Sequence, residues 1–308
     1  MAGPSDPKAR TGDFVGGATM GIRINVDGRL GTDEDRMLSP LDLGFIFGAS
    51  VYETLRTYSG RPFLLTRHLK RLRESATSLN IPIGLSDESF TSRVEGTIAA
   101  ANNRESVIRI VVSEGIGQID YRLGAAKEPT IVIIAKPLPE DWERSRGQVM
   151  QVALVDVVRN PPRSVNPRIK SSNLLNNLLA MRAARSQGAD EALMLNYRGE
   201  LAEGSLTNVF IVAGEVVKTP SLETGILGGI TREIVIGLAK DKGIEVEETT
   251  ILPDELLRAD EVFLTGTTKE VIPVVAVNDC IIGGGEAGPI TMALWDAYRE
   301  KVEEFLAS

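Results

Sequence analysis

Alternating hydrophobic and polar residues predict the strands of this chain. Ile22, Ile24 and Val26 alternate with polar neighbours and lead to Asp27-Gly28, a pattern typical of a strand that enters a hairpin turn. Further runs rich in β-branched and other hydrophobic residues predict more strands. These runs cover residues 50–58, 107–112, 130–135, 149–158, 191–196, 208–212, 215–218 and 262–265.

Helical spacing of hydrophobic residues predicts five helices among these strands. They cover residues 68–79, 86–101, 173–187, 231–242 and 291–306. Two of them are followed by Gly188 and Gly243, which suit the left-handed position that ends many helices. Because strands dominate and helices are mixed irregularly among them, the pattern indicates an α/β fold of the α+β kind.

The length of 308 residues is enough for about two domains of average size. Residues 1–20 are mostly polar and are interpreted as a flexible tail, with neither a secretory signal nor an apolar run of spanning length. Two prolines, many charges and little periodicity mark residues 136–147 as an interdomain linker. The prediction is therefore a small N-terminal α/β domain at 21–135 and a large C-terminal domain at 148–308 of a cytoplasmic protein.

Charge and rare residues narrow the range of functions. The formal net charge of −8 and the pI near 5.0 argue against nucleic acid or an anionic membrane as a partner. One cysteine, Cys280, and one histidine, His68, exclude an intrachain disulfide and a zinc site built from Cys and His, and no metal site is predicted. Since no nucleophile motif accompanies His68, we interpret it as a structural residue.

The sequence around Lys170 carries the strongest chemical signal. Lys170 follows a proline-rich bend and precedes a predicted helix, whose positive end disfavours the ammonium form of a lysine. Imine chemistry needs a lysine that loses its proton easily. An isolated lysine is most often a solvated surface charge, but residues 171–178 offer small polar groups and no other charge. The setting therefore favours a reactive lysine.

Other motifs point to a buried acid and an anion site. Glu203 lies at a glycine-bearing turn before an apolar strand, where a buried carboxylate needs a cationic partner. Gly228-Gly229 opens the helix at 231–242, and free amides at a helix start bind anions. The hydroxyls at 265–268 and Arg71 suit the same anion. Each motif also has an ordinary reading as a turn, a cap or a surface arginine.

The glycine-rich segment 283–288 formally matches a dinucleotide-binding fingerprint. Only about 20 residues follow it, so the second strand of a βαβ unit and its ribose-binding acid have no room. We therefore interpret this segment as a surface turn.

Taken together, these segments resemble the class IV aminotransferases, the pyridoxal phosphate (PLP) enzymes of fold type IV. That family includes branched-chain aminotransferases, D-amino acid transaminases and aminodeoxychorismate lyases. The resemblance covers residues 22–306 and depends on five motifs in the family's order. It implies a small N-terminal α/β domain, a larger C-terminal domain with a barrel-like sheet, an active site between them, and a homodimer or higher homo-oligomer.

The resemblance also implies roles for individual residues. Lys170 would be the catalytic residue, holding PLP as a Schiff base and moving a proton to and from the substrate, while Glu203 would pair with the pyridine nitrogen and keep it protonated. Leu227 would pack against the ring. The phosphate-binding residues would be Arg71, Thr267 and the amides of Ile230 and Thr231.

Substrate recognition follows the family patterns less closely. Branched-chain enzymes have tyrosines where Phe47, Val107 and Leu174 stand, whereas Tyr52 matches a carboxylate-binding tyrosine of the D-amino acid enzymes. Those enzymes also use a histidine in the loop that is here 114–122, where Arg122 would provide a variant. The substrate-binding residues implied are Phe47, Tyr52, Arg109, Arg122, Gly266 and Thr268.

The loop Gly115-Ile116-Gly117 and the segment 288–291 are closer to the branched-chain group. We therefore predict amino-group transfer between a branched-chain or other hydrophobic L-amino acid and 2-oxoglutarate, with small amino and keto acids as partners. A D-amino acid or (R)-amine transaminase is the alternative, followed by aminodeoxychorismate lyase. A non-enzymatic binding module is disfavoured because Lys170 and Glu203 are both present.

Overall fold

Two β-sheets with helices packed against them form the fold. The computed structural model describes residues 20–122, 124, 126, 128–139 and 148–308. Residues 1–19 of the predicted tail and 140–147 of the predicted linker lie outside these ranges. The mixed α/β class predicted from the sequence is confirmed.

The first sheet has six antiparallel strands in the order β2-β1-β6-β5-β3-β4. Its strands are β1 (Arg23–Val26), β2 (Arg29–Gly31), β3 (Ser50–Tyr58), β4 (Arg61–Pro62), β5 (Ser106–Ser113) and β6 (Thr130–Pro137). The helices in this part of the chain are α1 (Leu43–Phe47), α2 (Leu65–Ser78) and α3 (Asp87–Ala101). Asp27 and Gly28 both have positive φ and form the predicted hairpin turn between β1 and β2.

The side chains of β3 alternate between a face that packs in a hydrophobic core and a face that does not. Val51 and Leu55 pack with leucines of α2 and with Phe90 of α3 in one buried cluster. Successive side chains of a strand point to opposite faces, so Tyr52 and Thr54 face away from these helices. The sheet therefore has one face that packs on helices and one that faces the second half of the chain.

The second sheet has nine strands and mixes parallel with antiparallel pairs. Eight strands follow the order β12-β11-β10-β13-β14-β7-β8-β9, and β15 pairs with β14. They are β7 (Met150–Val155), β8 (Glu191–Leu195), β9 (Leu201–Gly204), β10 (Asn208–Ala213), β11 (Val216–Pro220), β12 (Glu245–Thr249), β13 (Glu261–Gly266), β14 (Glu270–Val277) and β15 (Cys280–Ile281). The helices here are α4 (Leu175–Ser186), α5 (Ile230–Asp241), α6 (Pro253–Leu257) and α7 (Pro289–Ala307).

Hydrophobic packing holds helices on the second sheet. Phe210 and Phe263 stack with ring centroids 4.7 Å apart beneath α5 and α7. Tyr58 of the first sheet and Phe63, which follows β4, belong to the same cluster. The two sheets therefore share part of one core. Among the helices of the described residues, none has the length and apolar character needed to cross a membrane.

Some predicted boundaries are wrong, and several short elements lack a sequence signal. The strand predicted at 149–158 ends at Val155, and the helix predicted from His68 begins at Leu65. Strand β6 extends to Pro137, so the first two residues of the predicted linker are strand. The polar edge strand β12 and the short helices α1 and α6 escape detection because they have few residues and no clear periodicity.

The glycine-rich segment does form an exposed turn as predicted, with positive φ at Gly283, Gly284 and Gly285. Gly188 and Gly243 also have the positive φ expected after a helix. The division into domains stays a prediction.

A buried carboxylate joins the two sheets. Glu270, at the start of β14, accepts hydrogen bonds from Arg56 of β3 (3.2 Å), from the hydroxyl of Tyr58 (2.6 Å) and from Arg299 of α7 (2.9 Å). Arg56 and Glu270 are both buried, whereas Arg299 is partly exposed. A buried charge is costly unless it is paired and hydrogen-bonded, so this cluster constrains how the sheets meet.

Arg56→Met should lower the free energy of unfolding by about 3–5 kcal/mol, because it removes the buried partner of a buried carboxylate. Urea denaturation followed by circular dichroism measures the change. Arg29→Met, which alters an exposed arginine on β2, is the matched control and should change stability by less than about 0.5 kcal/mol. A variant at Arg56 as stable as the control would contradict the role given to this ion pair.

Candidate active site

A cavity of about 390 Å³ lies between the two sheets. Seven of the residues singled out from the sequence line it, and four cationic side chains face a single carboxylate among its described lining residues. The seven are Tyr52, Arg109, Lys170, Glu203, Leu227, Thr267 and Thr268. Parts of the motifs at Lys170, Glu203, Leu227 and Thr267 therefore converge on one space, whereas the predicted phosphate-binding residues Arg71, Ile230 and Thr231 do not line it.

Backbone hydrogen bonds fix Lys170 against β3. The amide of Tyr52 donates to the carbonyl of Lys170 (2.9 Å), and the amide of Ser172 donates to the carbonyl of Ser50 (2.9 Å). Ser171 and Val51 form an isolated antiparallel bridge between these bonds. The amide of Lys170 also donates to Oγ of Ser75 on α2 (3.2 Å). The lysine therefore belongs to the second half of the chain but is held by the first sheet.

The side chain of Lys170 lies beside an aromatic ring in the cavity. Its Nζ is 4.4 Å from the ring centroid of Tyr52, and the guanidinium carbon of Arg109 is 3.9 Å from the same centroid. No ion pair joins Lys170 to a carboxylate in the described part of the chain. Its side chain therefore lines the cavity without a carboxylate partner among the described residues.

Glu203 is buried at the end of β9 and accepts three hydrogen bonds. Arg159 Nε donates to one oxygen (2.7 Å), while the amide of Leu227 (3.0 Å) and Nδ2 of Asn208 (3.3 Å) donate to the other. Burial raises the pKa of Glu203, and Arg159 and the Leu227 amide oppose this effect. A carboxylate can only accept hydrogen bonds, so these three donors favour its ionised form.

Asn208 links Glu203 to the loop before α5. Its Nδ2 also donates to the carbonyl of Leu227 (2.9 Å). A Cβ added at Gly229 would collide with Oδ1 of Asn208. The second glycine of the Gly228-Gly229 pair is therefore required by close approach to this amide, which holds the loop next to the buried acid.

The start of α5 and the nearby Arg71 form a candidate anion site. Helix α5 has Gly229 at its N-cap and no side chain that caps its first amides, those of Ile230 and Thr231. Such amides, at the positive end of a 12-residue helix, are suited to bind an anion. Arg71 of α2 reaches this loop, because its Nη1 donates to the carbonyl of Gly228 (2.7 Å).

Three predicted substrate residues do not line the cavity. Arg122 is exposed and pairs with Asp120 (2.7 Å), and Phe47 packs on Tyr121 with ring centroids 5.0 Å apart. Gly266 ends β13 and lies next to the lining residue Thr267. The substrate roles of these three residues stay predictions.

Sequence reasoning missed Arg159, Lys136 and Glu53. Arg159 is the cationic partner that a buried Glu203 needs, but no local motif marks it. The sequence pattern assigns Lys136 to the linker, whereas it lies on β6 and lines the cavity. Glu53 is a lone carboxylate in the apolar stripe of β3 with Val51 and Leu55, and that position is the signal that could have found it.

Comparison with known proteins places this architecture in a family. The sequence model of amino-transferase class IV matches residues 50–277. A relative from Methanocaldococcus jannaschii, described as a branched-chain-amino-acid aminotransferase, is 38% identical over 91% of this chain and 96% of its own length. The aminodeoxychorismate lyase of Bacillus subtilis is 32% identical over 92% and 96%, and the D-alanine aminotransferase of Bacillus licheniformis is 31% identical over 91% and 97%.

Solved structures agree with this placement. The branched-chain amino acid aminotransferase of Escherichia coli superimposes with a TM-score of 0.84 at 29% identity, over 90% of this chain and 93% of that one. The enzyme of the same description from Thermobaculum terrenum, solved in its PLP form, gives a TM-score of 0.82 at 29% identity over 91% and 93%. The fold type predicted from the sequence is thus confirmed, as is PLP as the cofactor. The chain belongs to amino-transferase class IV and is a PLP-dependent transaminase.

Proposed function

We propose that this enzyme transfers an amino group between a hydrophobic L-amino acid and 2-oxoglutarate, with Lys170 as its catalytic residue. The observation that carries the proposal is the meeting of Lys170 and the buried Glu203 on one cavity, where the lining residue Leu227 bonds Glu203 and lies three residues before the uncapped start of α5. These supply an amine, an acid and an anion site in one place.

The residues present fit PLP in charge and in hydrogen-bonding capacity. The anion site of Arg71, Ile230 and Thr231 suits a phosphate. The hydroxyl of Thr207, a cavity residue, is buried without a hydrogen-bond partner in the structure, as a site that completes its contacts on ligand binding would be. Glu203 provides an ionised acceptor for a protonated ring nitrogen.

PLP supplies an aldehyde that takes the amino group and a ring that accepts the electron pair left at the α carbon. In our proposal Lys170 would supply the amine that holds this aldehyde in the resting enzyme and, once the substrate amine has taken its place, would carry the α proton. Glu203, held by Arg159, would keep the ring nitrogen protonated. Leu227 would pack on the ring, and Thr267 would join Arg71 and the α5 amides at the phosphate.

The cavity wall formed by the first sheet is suited to amino acids with an apolar or acidic side chain. Strands β3, β5 and β6 contribute Thr54, Val107 and Ile134, and two cations, Arg109 and Lys136, lie on the same face. Val107 is directly opposite Lys136 in the β5–β6 register. Val107 and Ile134 favour an amino donor with a hydrophobic side chain, and the two cations favour the second carboxylate of 2-oxoglutarate.

The relatives support this substrate pair. Several similar proteins are described as branched-chain aminotransferases, and one was solved with a phosphopyridoxyl derivative of L-glutamate, the amino acid that corresponds to 2-oxoglutarate. A D-amino acid transaminase is the second candidate, because Tyr52 and Arg109 lie together on the cavity wall and could hold a substrate carboxylate. A cytoplasmic location stays a prediction.

We also propose that the enzyme is a homodimer, as the resemblance implies. Exposed hydrophobic side chains support an interface, since association with a second copy would remove them from water. They include Phe45 of α1, Ile119 and Tyr121 of the loop that follows β5, and Leu175, Leu178 and Leu179 of α4. A second copy would cover these side chains.

Lys170→Ala should lower kcat for transamination by at least about 10²-fold, because the positioned amine and proton carrier are lost. Borohydride reduction followed by mass spectrometry should attach cofactor to the wild-type protein and not to this variant. Lys242→Ala, at an exposed lysine after α5, is the control and should be labelled like the wild type. Retained turnover in Lys170→Ala would refute the assignment.

The holoenzyme should react with L-leucine at least about tenfold faster than with D-alanine, D-glutamate or an (R)-aryl amine, as the proposed pocket requires. The loss of the absorption band of the lysine-bound cofactor reports each half-reaction, and 2-oxoglutarate should restore the band. A response only to D-amino acids or to the aryl amine would favour those transaminases, and release of pyruvate from aminodeoxychorismate would favour the lyase.

Light scattering coupled to gel filtration should give twice the chain mass of 33.3 kDa. Phe45→Lys should shift this value toward the monomer, because it would bury an unpaired charge in the interface. Lys301→Met, at an exposed lysine of α7, is the control and should leave the mass unchanged. A monomeric wild-type protein at micromolar concentration would contradict the dimer.

A further inference from the structure

A buried polar cluster lies behind the anion site, on the helix-packed face of the first sheet. Glu53 occupies the stripe of β3 that also carries Val51 and Leu55, and it is fully buried. His68 and Arg71 of α2 both contact its carboxylate. The proposed chemistry at Lys170 does not use Glu53 or His68, so the cluster needs a separate explanation.

The carboxylate of Glu53 has a donor for each oxygen. Arg71 donates through Nε to Oε1 (2.6 Å) and through Nη2 to Oε2 (2.8 Å), which is a bidentate pair. Nδ1 of His68 lies 2.7 Å from Oε2. Because an ionised carboxylate only accepts, Nδ1 of His68 must carry the proton and donate it.

The protonation states follow from the surroundings. Burial by itself would raise the pKa of Glu53, but the charge and hydrogen bonds of Arg71, with those of His68, outweigh it and lower the pKa to about 2. Burial lowers the pKa of His68, and the hydrogen bond to Glu53 opposes this. At neutral pH the cluster is therefore a carboxylate, a guanidinium and a neutral imidazole.

This pairing fixes the direction of the Arg71 guanidinium. Its Nε and Nη2 edge is taken by Glu53, and its Nη1 points at the carbonyl of Gly228, the residue before the N-cap of α5. Two N–H groups of the five then remain for a ligand at the start of that helix. Without Glu53, the long side chain of Arg71 would sample other rotamers, and its guanidinium would not be oriented before the ligand binds.

Helix α2 connects this cluster to the lysine as well. His68, Arg71 and Ser75 are three and four residues apart, so they lie on one face of the helix. Ser75 accepts the hydrogen bond from the amide of Lys170 (3.2 Å). The same helix face therefore supports both the phosphate-binding arginine and the backbone of the proposed catalytic residue.

We propose that Glu53, oriented by His68, is a positioning residue that holds Arg71 ready for the phosphate of PLP. The inference rests on the proposed phosphate-binding role of Arg71. It differs from a merely structural role, in which the cluster would join α2 to β3 and its loss would lower stability without any preference for phosphate. The energetic benefit lies in pre-organisation, since a guanidinium already in place loses less freedom on binding.

The test compares PLP with pyridoxal, which lacks the phosphate. Dissociation constants are measured by spectral titration of the apoprotein of wild type, Glu53→Gln, Arg71→Ala and the double variant. Glu53→Gln should weaken PLP binding by about 10-fold or more and change pyridoxal binding by less than about twofold. In the Arg71→Ala background, Glu53→Gln should cause no further loss, because the two residues act through one contact.

Variants of His68 test the same positioning role if Glu53→Gln does not fold. His68→Leu removes the donor to Glu53 and should weaken PLP binding selectively, whereas His68→Asn places an amide N–H near the position of Nδ1 and should restore most of it. Glu261→Gln is the matched control. It removes a buried carboxylate that bonds the first amides of α7, and it should lower thermal stability without changing the ratio of the two affinities.

The outcomes distinguish a failure of the positioning role of Glu53 from a failure of the phosphate-binding role of Arg71. If Arg71→Ala weakens PLP and pyridoxal equally, Arg71 does not bind the phosphate and both are overturned. If Arg71→Ala is selective but Glu53→Gln and His68→Leu weaken both ligands equally, or add to Arg71→Ala, the positioning role is wrong and the phosphate site stands. Selective, non-additive losses support the inference.

Discussion

Strand β3 is the element on which the rest of the site depends. Its backbone at Ser50 and Tyr52 binds the segment that carries Lys170, so the lysine of one half of the chain is held by the sheet of the other. Its side chains make different contacts on the two faces of the sheet. Glu53 holds Arg71 beneath the sheet, whereas Arg56 bonds Glu270 across to the second sheet. One strand therefore sets the positions of Lys170, of Arg71 and of the contact between the sheets.

Buried carboxylates paired with arginines recur in this structure. Glu53, Glu203 and Glu270 accept hydrogen bonds from arginines that are 18, 44 and 214 residues away, and each also has further hydrogen-bond donors. Such pairs add little net stability compared with apolar packing, but a broken pair is costly. Their value here is geometric, because a bidentate or multiply bonded carboxylate accepts only one arrangement of its partners.

The cavity itself combines an excess of cations with an apolar wall. Glu203 is its single carboxylate among the described residues, and Arg159 balances that charge, which leaves Lys170, Arg109 and Lys136 to face an anionic cofactor and substrate. A chain with a net charge of −8 thus contains a local positive field. Local arrangement of charges, rather than the overall balance, decides which ligand the site takes.

The sequence by itself indicated the family, the fold class and most of the longer strands and helices, and it singled out Lys170 and Glu203 as candidate site residues. These features depend on local patterns, namely periodicity, turn glycines and residue types next to a helix or a strand. Only the tertiary structure decided which groups these side chains contact. Arg159 bonds a carboxylate 44 residues away, and Arg71 reaches a carbonyl 157 residues away. Distances of this kind are set by the packing of one sheet on the other, and a local pattern contains no information about them. For the same reason the local pattern assigns Lys136 to a linker, since only the register of β5 with β6 places it on the cavity wall.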